Sequence, residues 1–450
     1  MEQIISAVSN FVWGPPVLIL LIGTGLFLTI RIKGLQFRKL PYALGLAFTK
    51  HQDNNSKGDI SHFQALMTAL AATVGTGNIV GVATAVVLGG PGAMIWMWMS
   101  ALVGMATKYG EAILAVKYRV TDEKGMMAGG PMYYIEKGLK AKWLGVLFAV
   151  FAVFASFGIG SGVQTNSIST ALNGTFNIPT WIIAILLVVT LALVILGGIK
   201  SIGKVVSFFV PFMIIFYVII SIIVIVGHFD LVPAAFVTIF KGAFSAKAFA
   251  GGMAGAAIRY GVARGVFSNE AGLGSSPIAA AAAISDHPGR QALVSMTQVF
   301  LDTIVVCTMT GLILVMGGEY EGGLKGAALT MSTFKNLAGD FGPYFVSIGL
   351  FLFAYSTVLG WAYYGERCIY YLFGQKAILP YRIVYIAVAG VGAVATNLDM
   401  VWNISDVFNG LMAIPNLIGL LGLSGVIISE TKDFEKLLKK EQAEKKNKKK

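Results

Sequence analysis

The chain has 450 residues, 56% hydrophobic and 12% charged, with a mean hydropathy of +0.75 and a formal net charge of +12. Soluble domains carry about 25% charged residues, so this composition excludes a water-soluble fold for want of polar surface, and it excludes disorder for the opposite reason. Long unbroken apolar runs, rather than short alternating segments, exclude a transmembrane β-barrel and leave an all-α polytopic membrane protein.

About 20 apolar residues cross a bilayer as a helix. Eleven such spans are expected, at 12–30, 64–88, 92–116, 144–168, 180–198, 205–227, 250–284, 291–316, 343–365, 381–396 and 407–429. The start, Met1-Glu2-Gln3, lacks the basic region of a cleavable signal peptide. Residues 430–450 are Lys-rich, too polar to insert, and are expected to form a frayed, solvated tail. Cys307 and Cys368 lie in or beside apolar runs without metal-ligand spacing. All four histidines, His51, His62, His228 and His287, fall at or outside span ends, which argues against a buried metal site.

The basic residues set the orientation. With eleven spans, 27 Lys and Arg fall on one face and 4 on the other, while Lys108, Arg259 and Arg264 lie within spans. By the positive-inside rule the N-terminus is outside and the C-terminus is cytoplasmic. The net charge therefore calls for no nucleic-acid partner.

Two spans are interrupted. The second contains Ala71-Ala72-Thr73-Val74-Gly75-Thr76-Gly77-Asn78-Ile79-Val80-Gly81, and the seventh contains Phe267-Ser268-Asn269-Glu270-Ala271-Gly272-Leu273-Gly274-Ser275-Ser276-Pro277. Glycine is costly inside a helix, and clusters of it with Thr, Ser and Asn invite unwinding. Unwound backbone in hydrocarbon is tolerated only where it lines a cavity or binds something. A single Gly77-x-x-x-Gly81 would read as a close-packing motif; two polar breaks five spans apart read as a binding site. Half-helix N-termini offer N–H groups to a carboxylate, and freed carbonyls and hydroxyls suit Na⁺. Because five is odd, spans 2–6 and 7–11 would be inverted repeats. The chain then divides into 1–61 (a peripheral first helix and basic loop), 62–228 and 229–429 (five helices each), and the tail 430–450.

Gly89-Gly90-Pro91-Gly92-Ala93-Met94-Ile95-Trp96-Met97-Trp98 and Asn269-Glu270-Ala271-Gly272-Leu273-Gly274-Ser275 resemble the two hallmarks of the alanine or glycine:cation symporter family. The resemblance runs from about residue 12 to 430. It implies a leucine-transporter-like fold in the cell membrane and Na⁺-coupled uptake of a small neutral amino acid by alternating access. Val74-Gly75-Thr76-Gly77-Asn78 is similar to the break in the first core helix of that fold. By that similarity, the Asn78 side chain, the Thr73 carbonyl and Ser268 form one sodium site. The backbone of Ala71 and Val74 faces a second. Ala354-Tyr355-Ser356-Thr357 resembles the segment that completes it, through the Ala354 carbonyl and the Thr357 hydroxyl, with Ser356 the near alternative. The resemblance puts the substrate carboxylate on the backbone of Gly75, Thr76 and Gly77, and its ammonium on carbonyls near Phe267, Ser268 and Gly272.

The fourth span contributes Phe157, Gly160, Gln164 and Asn166. Phe157 and Gln164 are seven apart and share a helix face. Gln164, a lone amide in an apolar helix, calls for a buried partner; it either contacts substrate or makes an interhelical hydrogen bond. Trp361 walls the pocket or packs the core, and bulky walls would limit the site to alanine or glycine. Ionisable groups inside spans are costly. Glu270 is a gate, a pocket carboxylate or a proton site. Glu111 follows Lys108 by three residues and pairs with it. Asp302 pairs with Arg259 or Arg264.

The rivals are weaker. A membrane-embedded enzyme would need a nucleophile and base, and neither His-Glu-x-x-His nor Gly-x-Ser-x-Gly occurs. No phosphate-binding loop points to ATP, and five-plus-five halves do not supply a channel's fourfold symmetry. Proton coupling on the same fold is the closer alternative. The expected partners are Na⁺, as a co-transported ion, the amino acid and the bilayer.

Overall fold

The computed structural model describes residues 2–49, 56–244, 253–396 and 398–447. Helices dominate because each closes its own backbone hydrogen bonds where no water is available. Among the described residues the sheet structure is a single short hairpin, Val120–Thr121 with Met127–Ala128.

Each expected span has a helical counterpart. Seven helices are long and apolar enough to cross a membrane, or eight when the bent pair His62–Thr73 and Gly77–Gly89 counts as one span. The other three counterparts are Ala93–Lys117, which carries Lys108 and Glu111; Thr180–Ile195, which is short; and Met253–Asn269, which carries Arg259 and Arg264. Residues 250–252, the start of the seventh expected span, lie outside the described residues.

The two broken helices sit at the centre. Met253–Asn269 packs along Ala93–Lys117 and along the second half of span two, Val82–Gly89. Span nine, Gly342–Phe373, packs against the first half of span two and against span four, Lys142–Phe176. Span four is helical throughout but widens to a π turn at Gly158–Gly162. Span eight, Pro288–Gly317, widens likewise at Phe300–Cys307. Such turns often mark functional positions.

The tail departs from expectation. Instead of fraying, Ser424–Asn447 forms a helix laid against the face that carries the basic loops. Ile427, Thr431, Phe434 and Leu438 are buried, and their spacing of three and four residues makes one apolar stripe. Phe434 stacks on His287 at 5.2 Å and lies under Arg290 at 5.7 Å. Glu441 pairs with Arg290 at 2.5 Å, Glu430 with Lys117 at 2.7 Å and Glu435 with Arg38 at 3.3 Å. Composition marks the lysines as solvated, and Lys432, Lys436, Lys439 and Lys440 do point outward; the opposite stripe binds the helix down. Residues 448–450 lie outside the described residues.

Burial of Phe434 is the centre of this docking, and Phe→Ala at such sites costs about 3–5 kcal/mol. Phe434→Ala should therefore release the tail, read as faster tryptic cleavage after Lys436 and Lys439 in detergent-purified protein. An unchanged cleavage rate would show that the docking does not depend on Phe434.

Candidate functional site

Span two starts cleanly. The Ser61 hydroxyl accepts from Gln64 N at 3.1 Å, and the Gln64 side chain accepts from Ser61 N at 3.0 Å, a reciprocal cap. The helix stops at Thr73 and resumes at Gly77 with a 52° bend. Gly75 is required by close approach: a Cβ there would stand 2.3 Å from Thr357 Oγ1. Asn78 staples the break, its Oδ1 accepting from Gly75 N at 2.9 Å.

Span seven breaks after Asn269 and resumes at Pro277–Ala281. Glu270 and Gly272 take left-handed φ of 56° and 91°. The exposed backbone is held by charged side chains from span three. Lys108 Nζ donates to the Glu270 carbonyl at 2.9 Å and to Ser276 Oγ at 2.7 Å. Glu111 Oε1 accepts from Gly272 N at 3.1 Å, Gly274 N at 3.2 Å and Asn416 Nδ2 at 2.7 Å. Lys108 and Glu111 pair at 3.5 Å, fully buried. Asn416 also donates to the Gly272 carbonyl at 2.9 Å and accepts from the Tyr134 hydroxyl. This lattice supplies the hydrogen bonds that the helix gives up.

Between the two breaks lies a small cavity of about 10 Å³. Of the residues expected to hold substrate, Gly75, Thr76, Gly77, Gln164, Phe267 and Trp361 line it. Three do not. Phe157 packs on Tyr381 and Tyr385, at 5.3 and 6.2 Å between rings, because the π turn between it and Gln164 shifts the helix phase. Gly272 is held by Glu111 and Asn416, away from the cavity. Ser268 turns toward span eight. In span four, the Gly160 carbonyl accepts from Tyr385 Oη, and Asn166 donates to the Gly392 and Ala395 carbonyls. Glu270 and Asn409 line the cavity as well. Asn409 shares span eleven with Asn416, so it does not stand out in the sequence as an isolated polar residue.

Two oxygen clusters flank the cavity. In the first, Asn78 Nδ2 donates to Asp302 Oδ1 at 2.8 Å, Ser268 Oγ donates to Asp302 Oδ2 at 2.9 Å, and Thr303 Oγ1 donates to the same atom at 2.8 Å. The expected pairing of Asp302 with Arg259 or Arg264 is thus corrected. Arg259 bonds Asn10 at 2.7 Å, and Arg264 lies over the Phe267 ring at 5.4 Å. The Thr73 carbonyl, at the end of its helix, lacks an intrahelical partner by position. In the second cluster, Ser356 Oγ donates to the Phe353 carbonyl of its own helix at 2.8 Å and lies 3.2 Å from the Ala71 carbonyl and 3.5 Å from the Val74 carbonyl. Ser356, not Thr357, takes this place, since neighbours on a helix point about 100° apart. Thr357 lines the cavity instead. Ala354 is buried beside them on the same helix.

The cavity shares Thr76 and Phe267 with a larger one of about 270 Å³ lined by Arg264 and Asp406. That one shares Val80 with a vestibule of about 740 Å³. The opposite, basic face carries a cavity of about 630 Å³ lined by Tyr133, Glu136 and Lys142, and elsewhere on it arginines bridge separate segments. Arg119 donates to the Ala281 and Ala283 carbonyls at 3.0 and 2.7 Å and to the Lys57 carbonyl at 2.9 Å. Arg367 pairs with Asp122 at 3.0 Å and with Glu366 at 2.9 Å, and Arg382 pairs with Glu366 at 2.7 Å.

A family profile described as the sodium:alanine symporter family matches residues 1–449. The chain belongs to that family. It is 58% identical to the sodium/alanine symporter AgcS of Methanococcus maripaludis, with 98% of each chain aligned. It is 40% identical to the amino-acid carrier protein AlsT of Bacillus subtilis, over 97% of this chain and 92% of that one. Among solved structures it resembles MhsT in complex with L-phenylalanine, with a TM-score of 0.54 at 14% identity, covering 83% of this chain and 98% of the other. It also resembles a manganese transporter of Eremococcus coleocola, with a TM-score of 0.51 at 14% identity, covering 84% and 82%. The fold is thus that of the leucine-transporter-like proteins. The chain is a multi-pass membrane transporter for cation-coupled amino-acid symport, not an enzyme.

In this symporter the Lys108–Glu111 pair can be tested as the support of the second break. Removing one member of a buried pair costs about 3–5 kcal/mol because the other charge is stranded. Lys108→Met should lower the thermal midpoint in detergent strongly, and adding Glu111→Gln should recover part of the loss. Strictly additive losses would mean that the two side chains act independently.

Proposed function

We propose that the protein couples inward Na⁺ flow to uptake of alanine or glycine by alternating access. The observation that carries this reading is the convergence of both helix breaks on one small cavity flanked by two oxygen clusters. In this reading the backbone N–H groups of Thr76 and Gly77, at the start of the outer half-helix, receive the substrate carboxylate. Asp302, Asn78, Ser268 and the Thr73 carbonyl hold one Na⁺. Ser356 with the Ala71 and Val74 carbonyls holds a second, with the Ala354 carbonyl as a further ligand in this reading. Neutral and carboxylate oxygens suit this hard cation. The bulky side chains of Phe267 and Trp361, which line the cavity, favour the smallest amino acids. The name borne by the relative in Methanococcus maripaludis supports alanine.

The vestibule side is the outside in this proposal, and the basic, arginine-bridged side is cytoplasmic, with the N-terminus outside and the C-terminus inside. Segments 62–228 and 229–429 act as the two inverted repeats, whose rocking would part the Arg119 and Arg367 bridges as it closes the outer path. The first helix is peripheral.

In proteoliposomes, radiolabelled L-alanine uptake should follow an imposed Na⁺ gradient. Uptake that persists in choline buffer with a pH gradient alone would overturn sodium coupling and transfer the role to Glu270, which lines the cavity. Asp302→Asn keeps the shape and removes the charge. It should raise half-saturating Na⁺ at least tenfold, as should Asn78→Ala; an unchanged Na⁺ dependence in both would exclude this cluster as an ion site.

A further inference from the structure

Resting on the reading of the cavity as the amino-acid site, we propose that Asn409 and Gln164 form a side-chain acceptor pair that reads the substrate's ammonium, so that the transporter selects primary amines and rejects N-methylated amino acids. The argument begins with which atoms lack partners. Gln164 and Asn409 are 2% and 1% exposed, and both line the cavity. Gln164 Nε2 donates to the Ile159 carbonyl at 2.9 Å and to Thr76 Oγ1 at 3.2 Å. A carbonyl only accepts, so the Ile159 contact fixes which end of the amide is nitrogen. Gln164 Oε1 is then left buried with no partner, and Asn409 Oδ1 is in the same condition.

Two of the three hydroxyls that line the cavity, those of Thr73 and Thr357, direct their protons to backbone carbonyls, while Thr76 Oγ1 accepts from Gln164. Thr73 Oγ1 donates to the Ala69 carbonyl at 3.0 Å, and Thr357 Oγ1 donates to the Phe353 carbonyl at 3.0 Å. Both therefore present lone pairs toward the cavity they line. Glu270 adds a carboxylate. Buried acceptors without donors are unfavourable, and a group with three N–H donors and a positive charge relieves several at once. An N-methyl group removes one donor and strands an acceptor. Sites built to hydrogen-bond a polar group reject analogues lacking it by large factors. Asn409 comes from span eleven and Gln164 from span four, so an ammonium held between them also ties the two repeats together.

The test uses the full-length protein in proteoliposomes with Na⁺-driven uptake of radiolabelled L-alanine. In the wild type, N-methyl-L-alanine should compete at least about 100-fold less well than L-alanine. Asn409→Leu should raise the alanine half-saturation constant at least tenfold, keep uptake Na⁺-dependent and narrow the discrimination against N-methyl-L-alanine. Asn409→Asp, which keeps an acceptor, should restore discrimination. Equal competition by the two amino acids in the wild type overturns the proposal even if the leucine variant fails to fold. So does an Asn409→Leu protein with wild-type alanine affinity and discrimination, while Na⁺-driven uptake leaves the transport reading intact. Absence of any Na⁺-driven amino-acid uptake would instead overturn the transport reading, and this proposal with it.

Discussion

Backbone that leaves a helix inside hydrocarbon has no water to bond, and each stranded group would cost several kcal/mol. The architecture around the second break answers that demand with two charges. Lys108 takes the Glu270 carbonyl, and Glu111 takes the Gly272 and Gly274 N–H groups. A neutral amide would satisfy one or two such groups; a carboxylate with four lone-pair sites and an ammonium with three donors satisfy more, in a small volume. The charges neutralise one another at 3.5 Å, which makes their burial tolerable. The first break is held by neutral groups: Asn78 closes it onto Gly75, and Ser356 reaches the Ala71 and Val74 carbonyls.

With the breaks held open, chemistry separates by direction. Adjacent residues on one helix face different tasks: Ser356 meets the Ala71 and Val74 carbonyls while Thr357 lines the cavity. The same division occurs in span seven, where Phe267 walls the cavity and Ser268 meets Asp302. The cavity and the oxygen clusters thus share walls without sharing side chains. Occupancy of one can be felt by the other through a single turn of backbone.

The two faces of the molecule are built differently. One side opens through cavities of about 270 and 740 Å³. The other is laced by arginines that bond backbone carbonyls and carboxylates, and the C-terminal helix lies over part of that face. Guanidinium groups suit such lacing because each bridges several acceptors at once.

The sequence by itself determined the class, the positions of the spans and the two breaks. These rest on local properties: apolar length, the conformational cost of glycine, and the spacing of Gly, Thr and Asn. It also marked Gln164, Glu270 and Asp302 as out of place among apolar neighbours. What only the tertiary structure decided was the partner of each. Asp302 meets Asn78 and Ser268 rather than an arginine, because partners come from helices distant in the chain. Phe157 leaves the cavity because a π turn shifts its phase, and no period read along a regular helix contains that extra residue. The tail docks because Phe434 finds a surface made by His287 and Arg290, 144 or more residues away in the chain. Composition records how polar a segment is; whether its few apolar residues meet a complementary surface depends on packing between segments far apart in the chain.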